Sequence, residues 1–540
     1  MRKIIRYLVW ALIAFIFNSC SDFFESKSNS LLKVNDDLIN TPNSARTAMF
    51  GILHQLQVIG DNRVILGELR GDLLTVTENS PQDLRDIMNF DVNADNSYLN
   101  EKNYYAIINN CNYLINKIDT SMVVGDQRVL YREMSAAKTI RAWVYLQLCL
   151  DYGYVYYYYQ VAMETKNPNY RKLTLPELTQ ELIQDLLPFC SDDNQPETLP
   201  SYGTIESFNS ALFFIPLRFL LGELYMWNKD YYQAANMYYQ LLLTNGLSLT
   251  PSFNNAWDET FTNIAYHWQE QFTEIAGSEI ISIIPYTTLY VDNASILETI
   301  LNYPNNYLLA PSSVATENWN SQTYSASSTR TIPGDLRGSK ASYTSYNPNG
   351  MDNYVTKYGY ITNYSILCRS SYVYLRLAEA INRLGKHSIA FALLKNGWNA
   401  TVMSNRTIIP QSELTGEPFL NFGQNLPATV DAVFRSNTRG LHARGCGSVD
   451  FNMGYVIPDE FSVGQDSLLW VEDQLLMEYA LETAFEGNRF YDLMRFANHR
   501  DDPGFLAKKV AEKFPVGQRE AIIQKLSDKD HWYLPGTPIK

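Results

Sequence analysis

The stretch LLMEYALETAFEGNRFYDLMRF, Leu475 to Phe496, joins an acidic, largely apolar helix to a second helical segment through Gly487. Glu482 and Glu486 stand one helical turn apart, near the carboxylate spacing that a retaining glycosidase uses. Catalytic carboxylates flank a scissile bond from two sides, however, and two on one helix face do not readily do so. The structural reading is preferred. Gly487 lets the helix end, and Arg489 and Arg495 pair with Glu486 and Asp492.

Helical periodicity extends outward from this stretch over most of the chain. TPNSARTAMFGILHQL (Thr41–Leu56) has Thr41 as N-cap, Pro42 at the first helical position and an apolar stripe of Ala45, Met49, Ile52, Leu53 and Leu56. Ile108, Cys111, Ile115 and Ile118 repeat the spacing. The segment Tyr131–Leu150 is apolar on two sides, through Met134, Ala137, Ile140, Val144 and Leu148 and through Trp143, Tyr145 and Leu146, which predicts neighbours on both. Two further segments share one register. LGELYMWNKDYYQAANMYYQL carries Leu221, Gly222, Tyr225, Ala234 and Tyr238, and LAEAINRLGKHSIAFALLKNG carries Leu377, Ala378, Ile381 and Ala390. Their offsets fit tetratricopeptide helix pairs, in which small residues let two antiparallel helices approach closely.

From about 285 to 360 the texture changes to Ser, Thr, Asn, Tyr, Pro and Gly. A long irregular stretch in a compact protein is either disordered or functional. Its aromatic residues (Tyr286, Tyr290, Tyr303, Tyr307, Trp319, Tyr324) favour an ordered surface, because disordered segments are aromatic-poor. A second aromatic concentration, DYGYVYYYYQ (Asp151–Gln160), follows the Tyr131–Leu150 helix. Gly153 breaks the helical pattern, and the tyrosines after it suit an extended exit strand with one face on the helical body.

The formal charge is −14, and loss of Arg2, Lys3 and Arg6 with a leader would take it to −17. So acidic a surface argues against nucleic acid, whose phosphates need Lys and Arg partners. The leader itself is legible. Those three basic residues precede an apolar run from Tyr7 to Phe17, of secretory-signal length and too short to span a bilayer, followed by Ser19 and Cys20. This is similar to a bacterial lipoprotein signal, with Cys20 lipidated. Cys111, Cys149, Cys190, Cys368 and Cys446 remain, widely spaced and without a CxxC, so neither a zinc site nor a disulfide framework is indicated. Catalytic motifs are thin. The six histidines are scattered, and HExxH, GxSxG, Walker-type and GxGxxG patterns are absent. His442 near Cys446 reads more readily as part of a glycine-rich turn than as a thiol site.

Together these features resemble the SusD/RagB family of outer-membrane nutrient-binding lipoproteins, over nearly the whole chain after the leader. Phe485, Glu486, Gly487, Arg489, Asp492, Leu493 and Arg495 fit its Phe-Glu-Gly-x-Arg and Asp-Leu-x-Arg pattern. LRLAEAINRLGK, CNYLINKID, AAKTIRAWVYLQLCLDYGYV and the closing WYLPGTP sit where the family carries similar segments. Tyr479 departs from it, standing where an arginine is usual. The resemblance implies a mainly α fold: tetratricopeptide-like helix pairs in one body over 41–540, with a loop-rich ligand-binding insertion at about 285–360. Residues 1–19 would be a removed signal and 20–40 a tether lipidated at Cys20. Acidic Asp22 and Glu25 resemble the signal that sends Bacteroidetes lipoproteins to the cell surface.

The implied role is capture of an oligosaccharide, or alternatively an oligopeptide, as a hinged lid over a SusC-like TonB-dependent transporter in the outer membrane. No catalytic residue, cofactor or metal is expected. Ligand contacts are expected from an early loop, with Asp72, Asn96 and Tyr98, and from the insertion, with Tyr290, Trp319 and Tyr324.

Overall fold

The computed structural model describes residues 38–99, 101–125, 127–161, 170–190, 199–245, 268, 272, 279–286, 295–302, 306–327, 330–339, 341–344, 353–359, 361, 363–397, 399–414, 440–446, 456–462 and 464–536. Cys20 and Tyr290 lie outside these residues.

A capping box opens the first helix, α1 (Pro42–Leu69). The Thr41 hydroxyl accepts the Ser44 N–H at 3.1 Å, and the Thr41 N–H donates to the Ser44 hydroxyl at 3.2 Å. The helix runs well past the stripe seen in the sequence, and beyond Ile59 it is buried on nearly all sides. A short strand β1 (Leu74–Val76) and α2 (Gln82–Asn89) follow, then α3 (Glu101–Lys117), α4 (Tyr131–Tyr152), α5 (Leu175–Cys190), α6 (Leu217–Trp227) and α7 (Tyr231–Asn245). The insertion carries α8 (Ser313–Asn320). After it come α9 (Ser370–Arg383), α10 (His387–Lys395), α11 (Gln465–Thr483), α12 (Arg489–Arg500), α13 (Pro503–Ala511) and α14 (Val516–Leu526).

Neighbours in sequence are neighbours in space. α3 packs on α1 and α4, and the contacts then run α4 to α5, α5 to α6, α6 to α7 and α7 to α9. α9 meets α10 and α11, and α12 returns to α1, so the C-terminal helices close against the first. The two expected helix pairs are α6–α7 and α9–α10. Gly222 has the steric role that its register implies, since a Cβ there would lie 2.5 Å from the Tyr238 ring. In the second pair Leu377, Ala378 and Ala390 are wholly buried. α4 is enclosed on all sides from Thr139 onward, as its two apolar faces predict.

The tyrosine stretch leaves α4 as an exit strand. Gly153 caps the helix at φ 79°, and β2 (Tyr154–Tyr157) pairs antiparallel with β3 (Arg171–Thr174). Val155 and Tyr157 face inward, Tyr154 and Tyr156 are half-buried, and Tyr158 is buried; Tyr159, 62% exposed, alone of the six tyrosines turns mostly to solvent.

The insertion has a stem. β4 (Ile280–Pro285) pairs with the returning strand Tyr364–Arg369, both buried along their whole length. Between them β5 (Leu309–Pro311) pairs with β1, from Leu74↔Pro311 to Val76↔Leu309, which pins the insertion to the end of α1. β6 (Thr323–Ser327) and β7 (Arg330–Pro333) form a hairpin after α8. The insertion's aromatics were expected to make an ordered surface. Among the described residues they are core: Tyr286, Tyr307, Trp319 and Tyr324 are 6%, 6%, 1% and 3% exposed. So many short strands bury little of their own surface, and the rings supply the burial that holds them.

Candidate functional site

The turn after α11 organises the molecule. Phe485 (φ 70°) and Gly487 (φ 88°) are both left-handed, which reverses the chain between α11 and α12. Gly487 packs on α1 at Gly67, where a Cβ would fall 2.0 Å from the Gly487 carbonyl oxygen. The Glu68 carboxylate then accepts the N–H groups of Phe485, Gly487, Asn488 and Arg489 at 2.8–3.3 Å, which places an anion on the N-terminus of α12. Burial pushes the Glu68 carboxyl up to about 7, against the pull of those four donors.

This reversal also redirects the ion pairs expected from the sequence. Arg489 does not meet Glu486. Now at the start of α12, it grips Asp72 through two bonds of 2.6 and 2.8 Å. Glu486 turns the other way, to Lys357 at 2.7 Å, Arg369 at 2.9 Å and the Tyr372 hydroxyl at 2.6 Å. Arg495 does pair with Asp492, at 2.9 Å, and also with Glu379 at 2.8 Å. Glu482 is enclosed by Arg337, Arg369 and Arg444 at 2.7–3.0 Å.

Glu482 and Glu486 are fully buried. Burial opposes their charge, but the surrounding cations hold both carboxyls below the ordinary range. Neither is placed to donate a proton as a glycosidase acid does. His442 and Cys446 are also engaged apart from each other, His442 Nδ1 with Glu478 at 2.9 Å and the Cys446 thiol with Asp335 at 3.2 Å.

On one side of this network lies a cleft of about 520 Å³. Its floor is the Asp72–Arg489 pair together with His442 and Glu478. One wall is α11, whose Asp473, Gln474, Met477 and Glu478 share a face. The stripe Val314, Asn318 and Gln322, along and just beyond α8, also lines the cleft. α13 supplies Phe505 and Lys509, one turn apart, with Glu512 beyond them. Arg500 stands over the Phe505 ring at 4.2 Å while pairing with Glu472 and Asp473 at 2.8 Å each.

The cations that line the cleft, Lys395, Arg489, Arg500 and Lys509, are matched in number by Asp72, Asp473, Glu478 and Glu512. Among the described residues the Asn318 and Gln474 amides are not used by other side chains. Each can both donate and accept. An uncharged ligand with many hydroxyls and an apolar face suits such a lining.

The fold has many solved counterparts. A SusD superfamily protein from Bacteroides vulgatus superposes with a TM-score of 0.60 at 14% identity, covering 91% of this chain and 94% of that one. Surface glycan-binding protein A from Bacteroides uniformis gives 0.57 at 16% identity over 92% and 94% of the two chains. A SusD superfamily protein from Bacteroides thetaiotaomicron gives 0.55 at 16% identity over 84% and 89%. The chain has the SusD fold. At the level of sequence no family model and no curated protein matches it.

Within this SusD fold the residues expected to contact ligand are distributed unevenly. Asp72 lines the cleft floor but is 1% exposed and committed to Arg489. Trp319 follows Asn318 on α8, about 100° further round the helix, and does not line the cleft. It donates from Nε1 to the Leu481 carbonyl at 3.1 Å and stacks on Tyr343, so its face is closed to solvent. Tyr324 is buried in the hairpin strand β6. Asn96 is a turn residue whose amide donates to the Asp83 carbonyl and accepts the Tyr98 N–H. Tyr98 is half-buried, and it keeps part of its ring in solvent. The cleft residues Asn318, Gln474, Met477 and Phe505 were not singled out from the sequence. Asn318 and Gln322 stand at the i, i+4 spacing of a helix, a signal hidden inside a segment that reads as loop.

Proposed function

We propose that this protein is a cell-surface binding lipoprotein that captures neutral oligosaccharides and delivers them to a TonB-dependent transporter of the SusC type. The cleft carries the reading: it combines unengaged amides, balanced charge and the apolar edges of Phe505 and Met477. Sugar rings offer C–H faces to such edges and hydroxyls to such amides, and no chemistry is asked of the protein. Its fold is shared with proteins named for surface glycan binding. Tyr98, on the early loop, and Tyr290 are further proposed ligand contacts, whereas Asp72, Asn96, Trp319 and Tyr324 are buried. Cys20 is the proposed lipid attachment point, with residues 1–19 removed, 20–40 as tether and the outer face of the outer membrane as location.

Native mass spectrometry of residues 21–540 with mixed oligosaccharide and oligopeptide pools tests this. Adducts rising in hexose or pentose steps, lost in Phe505→Ala, are the expected result. Adducts spaced by amino-acid residues would overturn the glycan reading in favour of peptide capture, which the same amides and carboxylates also suit.

A further inference from the structure

The imidazole of His442 sits on the cleft floor, carried by a backbone segment tied to the end of α10. The N–H groups of Leu441 and His442 donate to the Leu393 and Leu394 carbonyls, at 3.4 and 2.9 Å. Gly440 permits that approach, since a Cβ there would fall 2.1 Å from the Leu394 carbonyl oxygen.

The ring is oriented from one side. Its Nδ1 lies 2.9 Å from Glu478 Oε2, and the other Glu478 oxygen accepts from Arg337 at 2.7 Å. With its carboxyl held at about 2, Glu478 is ionised at neutral pH and can only accept. Nδ1 therefore carries a proton. Burial, with Lys395 and Arg337 nearby, lowers the His442 pKa against the pull of Glu478 and favours the neutral ring. A neutral imidazole has one N–H, so Nε2 keeps its lone pair.

That lone pair opens on the cleft. The His442 side chain is 11% exposed, and its Nε2 neither has a partner among the described residues nor is sealed from solvent. The rest of the floor is committed. Asp72 accepts from Nε and Nη2 of Arg489, whose Nη1 donates to the Leu476 carbonyl at 2.9 Å. Before a ligand arrives, solvent donates to Nε2. A ligand that displaces this solvent without a donor of its own loses affinity. A hydroxyl supplies the donor, whereas a carboxylate or ether oxygen brings only lone pairs.

We propose that His442 is a specificity-determining residue of this cleft, whose Nε2 accepts a hydrogen bond from a sugar hydroxyl and so requires a free hydroxyl at that point of the ligand. The assignment rests on reading the cleft as the oligosaccharide site. A pool of malto-, cello-, xylo- and mannohexaose is added to the full chain labelled with nitrogen-15 histidine, and the imidazole nitrogens are followed by long-range proton–nitrogen NMR. The His442 signals are identified by their loss in His442→Phe or, should that variant not fold, in His442→Gln. Before addition the ring is expected to be protonated at Nδ1 alone, and a proton on Nε2 at neutral pH overturns the proposal. On binding, the Nε2 signal is expected to move upfield while Nδ1 stays. His442→Phe is expected to weaken binding at least tenfold, and His442→Gln, which keeps an acceptor, by less. A hexasaccharide that binds without moving the Nε2 signal overturns the assignment and leaves oligosaccharide capture standing. Absence of binding by the whole pool counts against the cleft as the oligosaccharide site, and the assignment falls with it.

Discussion

Arg337 shows what the buried ion network asks of a single residue. Its guanidinium, wholly buried, meets Asp335, Glu478 and Glu482, each at 2.7 Å. Arg337→Met leaves those carboxylates without that cation, and breaking a buried pair from one side costs about 3–5 kcal/mol. Chemical denaturation should show a loss of that size, or no soluble protein. Protonation attacks the same network. Burial works against the Glu478 charge, yet Arg337 and His442 hold its carboxyl down at about 2, from an ordinary 4.5. The folded state therefore binds its proton later than the unfolded chain does. The stabilisation is complete above pH 4.5 and is lost as the pH falls towards 2. Glu68 has the opposite sign. Its raised pKa favours the fold below 4.5, and that contribution disappears as the pH rises through about 7. Glu68→Gln keeps an acceptor for the α12 N-terminus without the titration. Melting points measured from pH 5 to 9 should accordingly fall less steeply in the variant than in the wild type. These charges are visible in the sequence, but their partners are not. Arg337, Arg369 and Lys357 lie 113–145 positions before the Glu478, Glu482 and Glu486 carboxylates that they hold, and no local pattern encodes such a distance.

At the scale of elements, local chemistry wrote most of the helices. Thr41 with Pro42, Gly153 and the small residues of the two helix pairs act within a turn or across one tight connection, so their effects can be read directly. Gly222 is the sharpest case. Gly222→Val would drive its side chain into the Tyr238 ring, and overpacking of this kind costs about 1–3 kcal/mol. A melting-point drop with the far-UV spectrum retained would confirm it, and an unchanged melting point would show that α6 and α7 can slide apart. The insertion behaves differently. β1 and β5 are three residues each, and their register joins Leu74 to Pro311. Strands so short have no periodicity of their own, and they exist only because the partner is present. For the same reason α8 hid within a polar stretch, and Trp319, which looked like an exposed stacking platform, is instead the peg that fastens α8 to α11.

For the whole molecule, the cleft forms where α8, α11 and α13 converge, and its chemistry leads to two measurements. Asn318→Ala and Phe505→Ala should each weaken oligosaccharide binding about tenfold, or ~1.4 kcal/mol, with melting points unchanged. Because its cations and carboxylates balance, binding of a neutral oligosaccharide should shift less than about twofold between low and high salt. A steep salt dependence would point to a charged ligand instead. The sequence by itself determined the helical class, the two tetratricopeptide-like pairs, the reversal at Gly487 and the exit strand after α4. All of these are signalled by residues within a few turns of one another in the chain. Only the tertiary structure decided which carboxylate meets which cation, which aromatics are buried and where the cleft lies. Those outcomes depend on backbone reversals and on strand partners hundreds of residues apart. A tyrosine or tryptophan has the same composition whether it faces water or core, and the neighbour that settles the matter is brought there by the fold.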